Sequence, residues 1–406
     1  MENPNSCYWS ELSIEILSLL LERLSFVDFH RAKIVCPNWY ICSKQTVRRR
    51  SGSPLLMLCT EDDIELFNPE EDRVYKTKRD FSGRRFLANS GNWFLILDSG
   101  SNLYIEDVFS EKKINLPPLE SIKSDLFSLK RVGEKEFNEK VVGGFPEKGC
   151  SKSVEDLRGL LWVDEGKEEY SVAWFFDKGA QYISFCKNGE DYYRTIPTRI
   201  GVHYKSQGIS DMVLRRDSLY VYTTRQYVRL LDLSGQEGFT EVPKRSFILP
   251  FLPASPLNWD EITYADRLKV SYNIAVTRSG EVLLVESILF KATSSEMMPR
   301  RMFHLYKTDP NPDSEDILHS ENLSFEVHSL GNEALLLDSG ITVPADPTLG
   351  IEPNSIYFTR HDRVRNFAKE PSCPDICVFN LATKKLTRFP ILSYFKPKDA
   401  LWFHPC

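Results

Sequence analysis

Ile376-Cys377-Val378-Phe379-Asn380-Leu381, then Leu386-Thr387-Arg388-Phe389-Pro390, reads as an apolar strand, a polar turn and a second strand that ends at proline. The same pattern occurs four times upstream. Ile64-Glu65-Leu66-Phe67-Asn68-Pro69 leads to Val74-Tyr75-Lys76, and Leu103-Tyr104-Ile105-Glu106-Asp107 leads to Ile114-Asn115-Leu116-Pro117. Tyr182-Ile183-Ser184-Phe185 leads to Tyr192-Tyr193-Arg194-Thr195-Ile196-Pro197, and Val228-Arg229-Leu230-Leu231-Asp232-Leu233 leads to Phe239-Thr240-Glu241-Val242-Pro243. A second set of apolar strands stands upstream of most units: Trp93 to Asp98, Ser218 to Tyr222, Glu281 to Val285, Ala334 to Asp338 and Ser355 to Thr359. Units of three or four strands that recur every few tens of residues predict a β-propeller. A β-sandwich or two small β domains would also show short strands, but the repeat persists to the C-terminus, which favours the propeller. Division at roughly 40–50 residues per blade gives seven or eight blades, and counting motifs gives nearer six. The expectation is therefore a mainly β chain with about six to eight blades. Leu55-Leu56-Met57-Leu58 is the strand expected to close the ring against the C-terminal strands.

Ahead of residue 50 the pattern is helical. Between Glu11 and Leu24, residues Leu12, Ile16, Leu20 and Leu24 recur every four positions, and Ile14, Leu17, Leu19 and Leu21 fill in around them. At about 100° per residue, Glu11, Glu15, Ser18 and Glu22 gather in one narrow stripe and nearly all the rest is apolar. A surface helix needs one apolar face, and this one has about two. Ser25-Phe26-Val27-Asp28 resembles a capping box. It opens a second helix expected from about Asp28 to Val35, with Phe29, Ala32 and Val35 inward. Pro37 suits the first turn of a third helix carrying Trp39 and Ile41. Arg48-Arg49-Arg50 and Ser51-Gly52-Ser53-Pro54 mark a boundary, giving a helical unit over 1–50 and a β unit over 51–406. Three helices in about 40 residues rarely stabilise themselves alone. The surplus apolar face asks for a partner, either the rest of this chain or another protein.

Composition narrows the classes. The chain has 406 residues, 51 Lys+Arg and 57 Asp+Glu, for a net charge of −6. That balance argues against a general nucleic-acid binder. No run approaches the roughly 18 consecutive apolar residues of a membrane span, and the N-terminus has no basic targeting region. Nine scattered cysteines read as reduced, mostly buried thiols of the cytoplasm or nucleus. Aromatics reach 12 %, which suits many short strands.

The head resembles an F-box. Trp9-Ser10-Glu11-Leu12-Ser13-Ile14-Glu15-Ile16-Leu17, then Leu24-Ser25-Phe26-Val27-Asp28, then Arg31 to Cys36 and Trp39 follow that family's order and spacing over about 35 residues. Ser13 departs from the pattern by standing where the family usually has Pro; Ser is expected to cap the helix instead. The remainder resembles the plant F-box proteins with a KIB-type β-propeller, formerly a domain of unknown function. The similarity is carried by Glu333 to Asp338, Pro353 to Thr359, Phe389-Pro390 and Ala400-Leu401-Trp402-Phe403-His404-Pro405. The resemblance implies the substrate receptor of an SCF-type ubiquitin ligase. Its F-box would dock on a Skp-family adaptor, and through it on a cullin and a RING protein, while the propeller holds a protein substrate. Leu12, Ile16, Leu17, Leu20, Val35 and Trp39 are the candidate adaptor contacts, some of which must instead form the head's own core.

Sequence motifs for chemistry are missing. There is no HExxH, GxGxxG, Walker A loop or GxSxG elbow. Cys373 and Cys377 lack two further metal ligands at usable spacing. The expectation is a non-catalytic chain with no cofactor, no metal, no nucleic acid and no membrane partner. Two alternatives stay open: a propeller scaffold outside any working ligase, and a propeller enzyme or small-ligand binder.

Overall fold

A computed structural model describes residues 9–404 except 25, 46–53, 61–62, 77–80, 143–148, 178, 236–237, 243–246, 249–266, 291–299, 309–323, 348–349, 360–374, 396 and 398. A single turn over Trp9–Glu11 leads into α1 (Ile14–Arg23), α2 (Phe26–Ala32) and α3 (Pro37–Gln45). Ser13 occupies the N-cap of α1 with extended backbone, but its side chain makes no capping bond. The hydroxyl bonds Glu15 instead. The Glu15 backbone N–H and this hydroxyl hold the exposed carboxyl below its usual range. The capping bond expected of Ser13 is therefore not made. Ser25, the expected cap of α2, lies outside the described residues. α2 buries Phe29 and Ala32 as expected but stops at Ala32. A turn over residues 33–35 follows, and it leaves Val35 exposed rather than inward. Pro37 does open α3, where Trp39 is buried and Ile41 exposed.

Thirty strands follow among the described residues. β1 (Leu55–Cys59), β2 (Ile64–Asn68) and β3 (Arg73–Lys76) form three strands of the first blade. β4 (Arg85–Ser90), β5 (Trp93–Leu97), β6 (Leu103–Asp107) and β7 (Lys113–Asn115) form the second. An insertion comes next: β8 (Ile122–Lys123), β9 (Phe127–Arg131), β10 (Glu136–Val141) and β11 (Cys150–Ser153). β9–β11 make a small sheet of their own. β12 (Arg158–Asp164), β13 (Glu169–Phe175), β14 (Tyr182–Lys187) and β15 (Tyr193–Pro197) are the third blade, with β8 added in parallel at its edge. β16 (Asp211–Arg215), β17 (Ser218–Tyr222), β18 (Tyr227–Asp232) and β19 (Thr240–Glu241) are the fourth, where β20 (Phe247–Ile248) also pairs with β18. β21 (Arg267–Val276), β22 (Val282–Phe290), β23 (Arg301–Thr308) and β24 (Ser324–Glu326) are the fifth. β25 (Glu333–Leu336), β26 (Ile341–Pro344), β27 (Ser355–Phe358), β28 (Cys377–Asn380) and β29 (Leu386–Arg388) are the sixth. A single parallel pair, Val276 with Ile341, joins it to the fifth.

β30 (Asp399–Phe403) returns to pair antiparallel with β1, from Leu55 opposite Phe403 to Cys59 opposite Asp399. The first blade is thus completed by the last strand, so no strand edge is left open where the ring joins. Six blades result among the described residues, at the lower end of the expected range. The five repeated sequence units are outer strand pairs: β2–β3, β6–β7, β14–β15, β18–β19 and β28–β29. The fifth blade lacks the pattern because residues 309–323 separate its outer pair.

The aromatic content is spent between blades. Phe81, Phe86, Phe94 and Phe403 form an edge-to-face chain with centroids 5.1–5.6 Å apart, joining the first two blades. Across the opposite flank of the first blade, Trp402 packs against Tyr357 at 5.2 Å and Phe389 at 6.0 Å. Inner strands β4 and β12 approach so closely that a Cβ on Gly159 would sit 2.4 Å from Leu95 Cδ2 and 3.2 Å from Leu87 Cβ. A glycine is what this approach requires.

Candidate functional site: an apolar surface on the helical head

The head has a small core of its own. Leu17, Leu21, Phe29, Ala32, Trp39 and Cys42 are buried together, with Leu12, Leu20, Leu24 and Cys36 packed around them. The polar atoms inside are satisfied: Trp39 Nε1 donates to the Trp9 carbonyl at 2.9 Å, and Cys42 Sγ lies 3.3 Å from Ser18 Oγ. Ser18, a member of the narrow polar stripe read from the sequence, therefore faces α3.

The six candidate contacts now sort into three classes. Leu17 and Trp39 belong to the core, Leu12 and Leu20 are half-buried, and Ile16 and Val35 are exposed at 48 % and 56 %. The head also exposes other large apolar residues that the sequence reading did not single out as contacts: Ile14 and Leu19 on α1, Ile34 in the turn after α2, and Tyr40 and Ile41 on α3. Leu19 was legible, because it sits on α1 well away from the side bearing Leu17 and Leu21. Ile34 and Ile41 depend on where α2 stops, which periodicity does not settle.

The distribution of exposed hydrophobics is lopsided. Among the described residues, as many large hydrophobics are exposed in the head, over residues 9–45, as in the entire β unit. The propeller does not cover this surface. Its described link to the head is polar: Arg31 Nη2 donates to the Lys76 carbonyl at 3.2 Å, and the guanidinium stands 5.6 Å from the Tyr75 ring. An exposed apolar patch of this kind on a small unit marks a protein-contact surface.

Comparison with known proteins places both parts. Residues 9–50 match the F-box domain, and residues 66–380 match the KIB1-4 beta-propeller. The chain belongs to the F-box proteins with a KIB1-4 beta-propeller. Among similar relatives of this KIB-type family, F-box protein At5g25290 of Arabidopsis thaliana is 56 % identical, covering 98 % of this chain and 96 % of the relative. F-box protein At2g14290 of the same plant is 46 % identical over 100 % and 99 % of the two chains. F-box protein KIB4, also from Arabidopsis thaliana, is 30 % identical over 97 % and 95 %. Among solved structures, the WD40 domain of SCAP from fission yeast is 11 % identical with a TM-score of 0.31, covering 88 % of this chain and 89 % of that one. The N-terminal domain of Nup159 is 9 % identical with a TM-score of 0.32, over 84 % and 76 %. The propeller of this KIB-type F-box chain is established by the family match and by its own sheets. Among the described residues, no helix is long and apolar enough to cross a membrane.

The propeller of the KIB-type chain also encloses a central channel, with a cavity of about 310 Å³ between the inner strands. Its walls carry Leu161, Leu214, Leu336 and Leu401 together with Asp338 and His404. The Asp338 carboxylate is committed to the fold. It accepts from Thr359 Oγ1 at 2.7 Å and from the Trp402 backbone N–H at 3.2 Å, tying the sixth blade to the closing strand. Burial holds the His404 imidazole below its ordinary range.

Proposed function

We propose that this chain is the substrate-receptor subunit of an SCF-type ubiquitin ligase. Its head docks on a Skp-family adaptor, which bridges to a cullin and a RING protein, and its propeller holds a protein substrate. Residues 1–50 serve the adaptor and residues 51–406 the substrate. The observation that carries the reading is the apolar surface left in water on a head whose own core is already filled. Ile16 and Val35, joined by Leu19, Ile34 and Ile41, are the contacts proposed for the adaptor. Leu17 and Trp39 contribute by holding the head's fold, and Leu12 and Leu20 bridge core and surface. Each aliphatic side chain fully buried on docking contributes roughly 1.5–3 kcal/mol. Five of them are enough to outweigh much of the cost of association. The receptor itself performs no bond chemistry in this reading. It raises the effective concentration of substrate at the conjugating enzyme.

The test is a pull-down of the adaptor by the full chain. Ile16→Asp combined with Val35→Asp is expected to abolish adaptor capture while the unfolding midpoint stays unchanged, because both side chains already stand in water. Capture that survives this double change would sink the proposal. In cells, the same variant is expected to accumulate whichever protein the propeller binds; a bound protein whose level does not respond would point to a scaffold rather than a receptor.

A further inference from the structure

One mouth of the central channel carries two arginines with no described ion pair, and the carboxylate nearest them through the bonded chain, Glu333, accepts from Thr342 Oγ1 on the wall rather than from either guanidinium. Arg215 at the end of β16 and Arg216 in the turn after it both line the cavity. The described partner of the Arg215 guanidinium is not a carboxylate: its Nη2 donates to the Arg278 carbonyl at 2.5 Å. Among the described residues, the Arg216 guanidinium makes no ion pair or hydrogen bond. The acids next to these arginines in sequence and space are engaged elsewhere: Asp217 with Lys187 at 3.5 Å, and Glu281 with Lys307 at 3.7 Å. Arg278 itself stands exposed in the turn after β21, its N–H donating at 2.9 Å to Thr342 Oγ1 on the cavity wall.

The charge of the lining can be followed through. Arg215 and Arg216 bring two positive charges, and Asp338 brings one negative charge already bonded by Thr359 and the Trp402 N–H. The excess is positive, in a chain whose net charge is −6. Along the wall the edges of the buried Leu161, Leu214, Leu336 and Leu401 alternate with polar Asn89, Ser90, Ser339 and Thr342. A volume of about 310 Å³ suits a small organic ligand, at the lower end of the roughly 300–1,000 Å³ of such sites.

We propose that the channel mouth is a binding site for a small organic acid, its anionic head held by Arg215 and Arg216 and its apolar body seated against the leucines of the inner strands. Guanidinium groups suit this role because they remain charged and offer planar paired donors that match a carboxylate. The site is separate from the head and does not depend on adaptor docking.

Calorimetric titration of the full chain with 4-phenylbutyrate, 4-phenylbutan-1-ol and inorganic phosphate tests the proposal. The acid is expected to bind saturably with one site per chain, at least tenfold more tightly than the alcohol, and phosphate is expected to compete with it. Arg215→Gln with Arg216→Gln should weaken the acid about tenfold and leave the alcohol unchanged. Arg216→Gln alone breaks no described contact, so it should keep the unfolding midpoint and still weaken the acid. Equal binding of acid and alcohol, unchanged affinity in both variants, or no saturable binding of the acid at millimolar concentration would overturn the site.

Discussion

The head and the propeller manage apolar surface in opposite ways. The six blades among the described residues pack face to face, and the gap in the ring is filled by β30 lying along β1. Leu55, Leu56, Leu58, Trp402 and Phe403 at that seam are all fully buried. The head fills a core of six residues and leaves Ile16, Leu19, Ile34, Val35 and Ile41 outside. A ring can finish its own burial because each blade has a neighbour on both flanks. Three short helices have too few faces to do so, and among the described residues the remainder stays in water.

The largest way to break the comparison is at the seam. Trp402→Ala removes a fully buried ring that packs on Tyr357 and Phe389 and whose Nε1 donates to the Phe358 carbonyl at 3.3 Å. It is expected to cost about 3–5 kcal/mol in chemical unfolding of the β unit. Leu17→Ala, at a position with no exposure, is expected to cost the head about 2–5 kcal/mol, whereas Leu19→Ala on the same helix should change stability by less than about 0.5 kcal/mol. Helical circular dichroism followed through denaturation separates the two, and equal effects would erase the distinction between inner and outer faces. Gly159→Ala is expected to cost about 1–3 kcal/mol, because Leu95 is fully buried and has little room to retreat from the new methyl.

The smallest effect is one of pH. Burial depresses the folded-state pKa of His404 below its ordinary 6.5. The unfolded chain therefore takes up its proton first as pH falls, so stability is present above that value and is lost as pH drops through the folded pKa. His404→Gln is expected to flatten the decline in stability below pH 6.5, measured as unfolding midpoints in urea. An identical slope in both proteins would show that the channel wall tolerates the charged imidazole.

Much of this architecture is visible in the sequence, for a physical reason. The outer strand pairs repeat because each sets a largely buried apolar strand, as Ile64–Asn68 and Leu103–Asp107, before a polar turn and a more exposed edge strand, as Arg73–Lys76 and Lys113–Asn115. The inner strands β4 and β16 are harder to see. They mix channel-lining Asn89, Ser90 and Arg215 with core residues, so no clean period survives. Ala334 to Leu337 belongs to the pair β25–β26 at the inner side of its blade, not to the set of second strands that it resembles in composition. On the head, the excess of apolar residues is readable from α1 alone. Which of them face inward depends on where α2 ends and how α3 crosses α1, and these are tertiary facts. The arginines at the channel mouth come from one turn and are joined by Arg278 more than sixty residues away, a proximity that only the closed ring creates.

The seam between β1 and β30 has a consequence for synthesis on the ribosome. β1 to β3 are among the first β segments to emerge, and their missing neighbour is nearly the last, so at about 5–20 residues per second they wait roughly 20–70 s for it. Throughout that interval the head is already out of the exit tunnel with its greasy flank uncovered, able to meet a companion while the barrel of blades behind it is still unfastened.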